Sequence, residues 1–291
     1  MPELPEVEII KTFLAQNIVG LKIKSVEVLN PKSFIGDFNL IVGRKIEAVD
    51  RRAKVLRIGF ESLELLIHLK MSGQIVFKRH EIRDTRKHSF IGGHPTLDMF
   101  GELPNKSTRV IINLSDDSTL FFNDQRKFGW MKLLDHESGV MGHEFFGKMG
   151  PEPLGDGFSL EVFKKNLLRR KKTPVKVALL DQEVVAGIGN IYACETCFLA
   201  GVDPRKKVLD LHDKELQKLY EGIIESLKNG IKYGGSSKTH FANPEGKKGL
   251  FLDYAFVYGR EKLPCKNCGS LIQKIKLGGR GTFYCSQCQV D

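Results

Sequence analysis

The alternation of apolar and polar positions divides the chain into three regimes. Near the N-terminus Val7, Ile10, Phe13 and Leu14 recur at the spacing of a helix with one buried face. From about Leu21 to Leu134 the pattern shortens to β-branched and aromatic runs, at 21–29, 55–60, 63–69, 110–114, 119–122 and 130–134. Turn residues separate these runs, which predicts a β-sandwich. From Ser159 to Gly230 helical spacing returns, over 160–168, 174–180, 190–200 and 214–229. The proline- and glycine-rich stretch from Gly150 to Gly157 marks the junction. The expected organisation is an α+β multidomain chain: an N-terminal helix plus β-sandwich over 1–135, a linker over 136–157, a helical domain over 158–262 and a small C-terminal unit over 263–291. No internal repeat or low-complexity stretch interrupts it.

Composition is compatible with this plan, since 291 residues with 41% hydrophobic content can fill two compact domains and an appendage. No apolar run approaches the length of a membrane span. The acidic, proline-broken N-terminus also lacks the basic and apolar regions of a signal peptide. The expectation is therefore a cytoplasmic monomer without a membrane partner. A net charge of +10 and a pI near 9.2 favour a polyanionic partner, although other basic proteins share that balance. More selective is the stretch from Lys164 to Lys176, which carries seven cations and no acid. A solvated helix face rarely excludes acids so completely.

Four cysteines define the C-terminal unit. Cys265 and Cys268 are separated from Cys285 and Cys288 by sixteen residues, the knuckle spacing of a four-thiolate zinc site. Disulfides are the alternative, disfavoured in a cytoplasmic chain. One zinc ion is expected, structural because four thiolates leave no open position, and 29 residues from Leu263 are too few to fold without such a staple. Cys194 and Cys197 share this spacing but lie within a helical pattern without a second pair, and read as ordinary reduced thiols. Between the zinc pairs, two short strands flank Gly278-Gly279-Arg280-Gly281, a β-hairpin that presents Arg280. Such an arginine is either a solvated surface residue or a phosphate contact. In the helical region, Gly187-Ile188-Gly189-Asn190 enters a helix where free N–H groups can receive a phosphate, though a tight packing corner would read the same way.

The first residues, Met1-Pro2-Glu3-Leu4-Pro5-Glu6, carry the most specific chemistry. Removal of Met1 leaves Pro2 with a free secondary amine, which titrates near pH 8 and is partly nucleophilic at neutral pH. Bound to a sugar aldehyde carbon, it gives an iminium ion that cannot lose an N–H proton and so draws electrons from the adjacent C–H bond, driving β-elimination. Glu3 could shuttle protons beside it. A plainer reading, compatible with this one, is that these residues start a helix with Pro5 in its first turn.

Taken in order, these motifs resemble one family, the bacterial formamidopyrimidine-DNA glycosylases, which also holds endonuclease VIII. The resemblance covers nearly the whole chain. It rests on Pro2 to Glu8, Arg51-Arg52-Ala53-Lys54, His68-Leu69-Lys70-Met71-Ser72-Gly73, Asp124 to Gly129, Gly187 to Tyr192, Val257-Tyr258-Gly259-Arg260 and the zinc hairpin. It implies a helix-two-turns-helix glycosylase of base excision repair, cytoplasmic and nucleoid-associated. Such an enzyme flips an oxidised purine, 8-oxoguanine or a formamidopyrimidine, out of double-stranded DNA and excises it through a Pro2 Schiff base. It then cleaves the abasic strand by β,δ-elimination. By the same resemblance Glu3 donates a proton, Lys54 contacts phosphate and assists β-elimination, and Arg280 grips phosphate during δ-elimination. Lys176 and Asn190 bind flanking phosphates, with Lys171 of the basic run a further DNA contact. Met71, Arg126 and Phe128 fill the space left by the flipped base, although Met71 and Phe128 taken alone would read as core residues.

Departures from the family pattern are Gln125 in place of proline, Lys127 in place of a second arginine, and Ser107 in place of a DNA-contacting histidine, which removes one phosphate contact unless Arg109 compensates. The polar stretch from Arg79 to Pro104 is long for the family. Its His80, His88 and His94 fit no compact metal site, and a loop is expected there. The segment from Gly234 to Phe241 corresponds to the loop that covers the everted base in the family. Competing readings are an endonuclease VIII-type enzyme for oxidised pyrimidines, a catalytically inert damage-binding protein and a general nucleic-acid binder. Leu4, the void-filling trio and the segment from Gly234 to Phe241 disfavour the first, and Pro2, Glu3 and Lys54 the second. The third leaves the N-terminal chemistry unexplained.

Overall fold

A computed structural model describes residues 1–79, 89–93, 102–135, 146–236 and 249–290. The chain forms two compact units, Met1–Gly147 with Gly234–Leu250, and Lys148–Tyr233 with Phe251–Asp291. This differs from the partition drawn from the sequence in two respects: Gly234–Leu250 folds with the N-terminal unit, and the zinc hairpin with the helices.

In the first unit, helix α1 (Leu4–Ile18) precedes strands β1 (Ile23–Val28), β2 (Phe34–Ile35), β3 (Ala48–Arg52), β4 (Val55–Gly59), β5 (Leu63–His68), β6 (Gly73–Lys78), β7 (Ser89–Gly93), β8 (Thr108–Leu114), β9 (Thr119–Asp124) and β10 (Trp130–Asp135). They form two five-stranded sheets of order β1-β8-β9-β6-β7 and β2-β10-β5-β4-β3, antiparallel except for the β2–β10 pair. Inward residues of both sheets, among them Leu56, Leu65, Ile67, Ile75, Phe77, Ile112 and Phe122, share one core with Val7, Ile10, Phe13, Leu14 and Ile18 of α1. The helix packs against β3 and β7, the edge strands on one side of the two sheets. Phe13 stacks on Phe90 of β7 with ring centroids 4.1 Å apart, and Arg51 of β3 donates to Glu8 Oε2 at 2.6 Å. The helix thus closes an open side of the sandwich, which fixes the start of the chain.

The sandwich and all six expected strand runs are present, with β2, β3, β6 and β7 in addition. Strand β7 falls inside the stretch read as a loop, and pairs with β6 from Lys78↔Ser89 to Gln74↔Gly93. His80, His88, His94 and residues 237–241 lie outside the described residues.

The second unit contains α2 (Leu160–Leu167), α3 (Val175–Leu179), α4 (Asn190–Ala200), α5 (Asp213–Lys232), α6 (Phe251–Tyr254) and the hairpin β11 (Gln273–Leu277) and β12 (Arg280–Tyr284). Helix α5 buries Leu216, Leu219, Ile223 and Leu227 at helical spacing and packs on α4. A Cβ at Gly230 would stand 2.5 Å from the Tyr192 ring, so the close approach of the two helices requires glycine there. Among the described residues no helix is long and apolar enough to cross a membrane.

Candidate active site and nucleic-acid interface

In the first unit, Pro2 and Glu3 are buried at the head of α1. Glu3 is the N-cap and Glu6 the third helical residue, and the two form a reciprocal capping box in which the Glu3 N–H donates to Glu6 Oε2 at 2.8 Å. The other Glu6 oxygen accepts from the N–H and the hydroxyl of Ser236, at 2.8 and 2.9 Å. These bonds immobilise the residue next to Pro2 on a helix anchored over its whole length.

Lys54 follows Ala53, whose φ of 53° forms the two-residue turn between β3 and β4. Its side chain is largely buried. Nearby, His68 Nδ1 accepts from the Lys70 N–H at 2.9 Å, so the neutral ring carries its proton on Nε2. Burial, then the ammonium groups of Lys70 and Lys54, push the imidazole down to about 3. His68 is therefore a neutral donor throughout the physiological range.

Met71 is 37% exposed and Phe128 is 55% exposed, and both occupy turns, β5–β6 and β9–β10 respectively. The structure thus removes them from the core, the plainer alternative for apolar residues. The Arg126 guanidinium lies 4.8 Å from the Phe128 ring centroid. Arg109 bonds to the protein's own main chain. It is buried at the bulge where the β8–β9 register shifts between Thr108 and Val110, and its Nε donates to the Asp124 carbonyl at 2.8 Å. Ser107 is likewise buried and its carbonyl accepts from the Asp124 N–H.

In the second unit, Gly187 (φ 86°) turns the chain into α4, with Gly189 as N-cap and Asn190 as first helical residue. Asn190 Oδ1 accepts from Lys176 Nζ, and its Nδ2 donates to the Gly281 carbonyl at 2.9 Å. Lys176 is fully buried, whereas Lys171 is exposed. The structure therefore joins Lys176, Asn190 and the residue after Arg280 in one hydrogen-bonded chain. Gly278 (φ 56°) and Gly279 (φ 76°) are the two central turn residues, and the exposed Arg280 begins β12 opposite Leu277.

The thiol sulfurs of Cys265, Cys268, Cys285 and Cys288 all lie within 4.8 Å of one another, with separations of 3.9 Å for Cys265–Cys288 and 3.5 Å for Cys268–Cys285. Disulfide sulfurs would be about 2 Å apart. Tetrahedral ligation at Zn–S of about 2.3 Å gives sulfur separations of about 3.8 Å. The donor set fits one structural zinc ion. Cys194 and Cys197 are buried residues of α4 outside the four-cysteine cluster, and Cys194 packs with Phe198, Val257 and Ile272 against Cys265 and Cys285. One residue the sequence did not flag completes this junction: buried Glu195 accepts from the N–H groups of Phe256, Val257 and Tyr258 at 2.8 to 3.0 Å. Burial pushes its carboxyl above the usual range, against those hydrogen bonds.

Three family models match this chain: the formamidopyrimidine-DNA glycosylase N-terminal domain over 1–131, the formamidopyrimidine-DNA glycosylase H2TH domain over 149–242, and the zinc finger found in FPG and IleRS over 262–290. The chain belongs to the formamidopyrimidine-DNA glycosylase family. It is 36% identical to the formamidopyrimidine-DNA glycosylase of Listeria innocua, with 99% of this chain and 100% of the relative covered. The enzyme of that name from Desulforamulus reducens is 38% identical, with 99% of both chains covered. Among solved structures, Lactococcus lactis Fpg in complex with DNA containing an abasic site superposes with a TM-score of 0.83 at 32% identity, over 99% of this chain and 100% of that one. MutM in complex with DNA containing carbocyclic 8-oxo-G gives 0.82 at 33% identity, with both chains fully covered. The chain is accordingly a base-excision-repair DNA glycosylase whose partner is DNA, of a family that combines glycosylase and AP-lyase activity.

Proposed function

We propose that Pro2, freed by removal of Met1, is the nucleophile of this glycosylase and that oxidised purines are its substrates. The observation that carries the reading is the burial of Pro2 and Glu3 at the head of an anchored helix, with the Glu3–Glu6 capping box fixing the adjacent main chain. The Pro2 nitrogen attacks C1′ of the damaged nucleotide while the bond to the base breaks, and Glu3 moves the proton that ring opening requires. The resulting iminium acidifies C2′. Loss of a C2′ proton expels the 3′-phosphate, and a second elimination expels the 5′-phosphate. Water then hydrolyses the iminium and returns the free amine.

Lys54 serves the first elimination by donating its ammonium hydrogens to the departing phosphate, with the neutral His68 Nε2–H as a second donor beside it. Arg280 holds a phosphate for the second. Lys171 and Asn190 bind flanking phosphates, Asn190 at a helix N-terminus where N–H groups favour anions, and the buried Lys176 holds the Asn190 amide in place behind it. Met71, Arg126 and Phe128 enter the stack where the base has left, an insertion that offsets a few kcal/mol of lost stacking and pairing. Substrate choice draws support from the relatives, one solved with carbocyclic 8-oxo-G DNA and another, a Lactococcus lactis Fpg mutant, with Fapy-dG DNA. The work site is the nucleoid.

Borohydride trapping on a duplex with 8-oxoguanine opposite cytosine, followed by mass mapping of the linked peptide, tests this directly. A lesion-dependent adduct on Pro2 is expected. An adduct on another residue, or none with Pro2 free, overturns it.

A further inference from the structure

The turns that carry Met71 and the Arg126–Phe128 pair are joined by one buried carboxylate. Asp124 is fully buried at the end of β9, directly opposite Gly73 of β6. Its Oδ1 accepts from the Ser72 hydroxyl at 2.5 Å, and its Oδ2 from the Gly129 N–H at 2.5 Å. The Arg126 N–H is shared between Ser72 Oγ at 3.0 Å and Asp124 Oδ1 at 3.2 Å. Ser72 adjoins Met71, while Arg126 and Gly129 bracket Phe128. Each turn also contains a lysine in the left-handed region, Lys70 at φ 50° and Lys127 at φ 60°, a conformation that surrounding contacts must impose on a side-chain-bearing residue. Arg109 and Ser107 hold the Asp124 main chain from the third strand.

We propose that Ser72 and Asp124 are positioning residues that lock the two turns into a single two-pronged wedge, so that Met71 and the Arg126–Phe128 pair enter DNA together and in fixed register. Discrimination of the base opposite the lesion then depends on a pair of residues that touch no DNA. Arg126 sets the hydrogen-bonding edge offered to that base, and its main-chain N–H is the atom that Ser72 and Asp124 share. A carboxylate suits this role because, ionised, it only accepts, and the three groups facing it are all donors. The reading rests on the wedge role given above to Met71, Arg126 and Phe128.

The test is single-turnover excision of 8-oxoguanine opposite cytosine and opposite adenine, by the wild type, Ser72→Ala, Asp124→Asn and the double variant. Loosening a group by about an ångström costs up to about 100-fold in rate. The expected result is a cytosine-to-adenine preference reduced about tenfold in each single variant, with the double variant no worse than the more severe single because the two residues act as one unit. Equal losses opposite both bases, leaving the ratio at the wild-type value, would mean that the pair merely supports the fold and would overturn the proposal, as would additive losses in the double variant. Ser72→Ala removes only a hydroxyl and keeps the test decisive where Asp124→Asn fails to fold. Wild-type protein that excises nothing and forms no trapped adduct would instead remove the proposed function itself.

Discussion

The carboxylate of Glu6 accepts hydrogen bonds from both the main-chain N–H and the hydroxyl of Ser236, 230 residues further along the chain. Together with the bond from the Glu3 N–H, it makes this side chain a tie between the head of α1 and Ser236.

Glu6→Gln presents an amide N–H₂ to one of these donor sets. Hydrogen bonds to charged groups contribute about 1.5–3 kcal/mol, so the variant is expected to lose about that much stability and to trap less Pro2 adduct at equal protein concentration. Thermal unfolding and adduct yield measured together check it. A fully stable variant with wild-type yield would leave the tie without consequence.

Acid should weaken the fold through His68. Its folded-state pKa lies near 3, below the ordinary value of 6.5, so between these limits the unfolded chain binds the extra proton. The stability contribution is complete above pH 6.5 and declines towards pH 3, by up to about 1.4 kcal/mol per pH unit. Urea unfolding at pH 5 and pH 7 should show a smaller pH dependence in His68→Asn than in the wild type. Equal slopes would contradict the assignment.

Zinc removal should act through the hairpin. Cys268→Ser, or a chelator applied to the wild type, is expected to take zinc content from one ion to none and weaken duplex binding by more than about tenfold, because the proposed phosphate contact of Arg280 goes with the hairpin that carries it. Metal analysis and a binding titration read both quantities.

Arg280→Ala leaves that hairpin intact and removes one cation. The slope of log affinity against log salt should fall by about one unit. An unchanged slope would make Arg280 a bystander.

Gly230→Ala should overpack α5 against Tyr192 and cost about 1–3 kcal/mol. Denaturant midpoints measure it, with Asn229→Ala as a neighbouring substitution on the same helix.

Much of this architecture was readable in the sequence because local patterns and burial coincide. Helix α4 spans the same residues, Asn190–Ala200, that its spacing predicted, and the cysteine knuckles meet as their spacing required. Strand β3, Ala-Val-Asp-Arg-Arg, escaped because it is a polar edge strand with only Val49 in the core. Strand β6 followed the motif ending at Gly73 without a further turn signal, and β7 was concealed in a polar stretch. The partnership of Glu6 with Ser236, the buried state of Lys176 and the bond from Arg109 to the Asp124 carbonyl are long-range facts that no local pattern encodes. Asp124 carried only a weak signal, an acid at a strand end. Only the fold reveals it as the junction of two turns.

Helix α1 seals the edges of both sheets and also carries the proposed nucleophile at its head. Unpaired strand edges are templates for association with other chains. Fraying at the head of α1 would therefore do two kinds of harm at once: it would disarm the enzyme and expose β3 and β7 to aggregation. Selection for a colloidally safe protein and selection for a competent nucleophile act on the same fifteen helical residues.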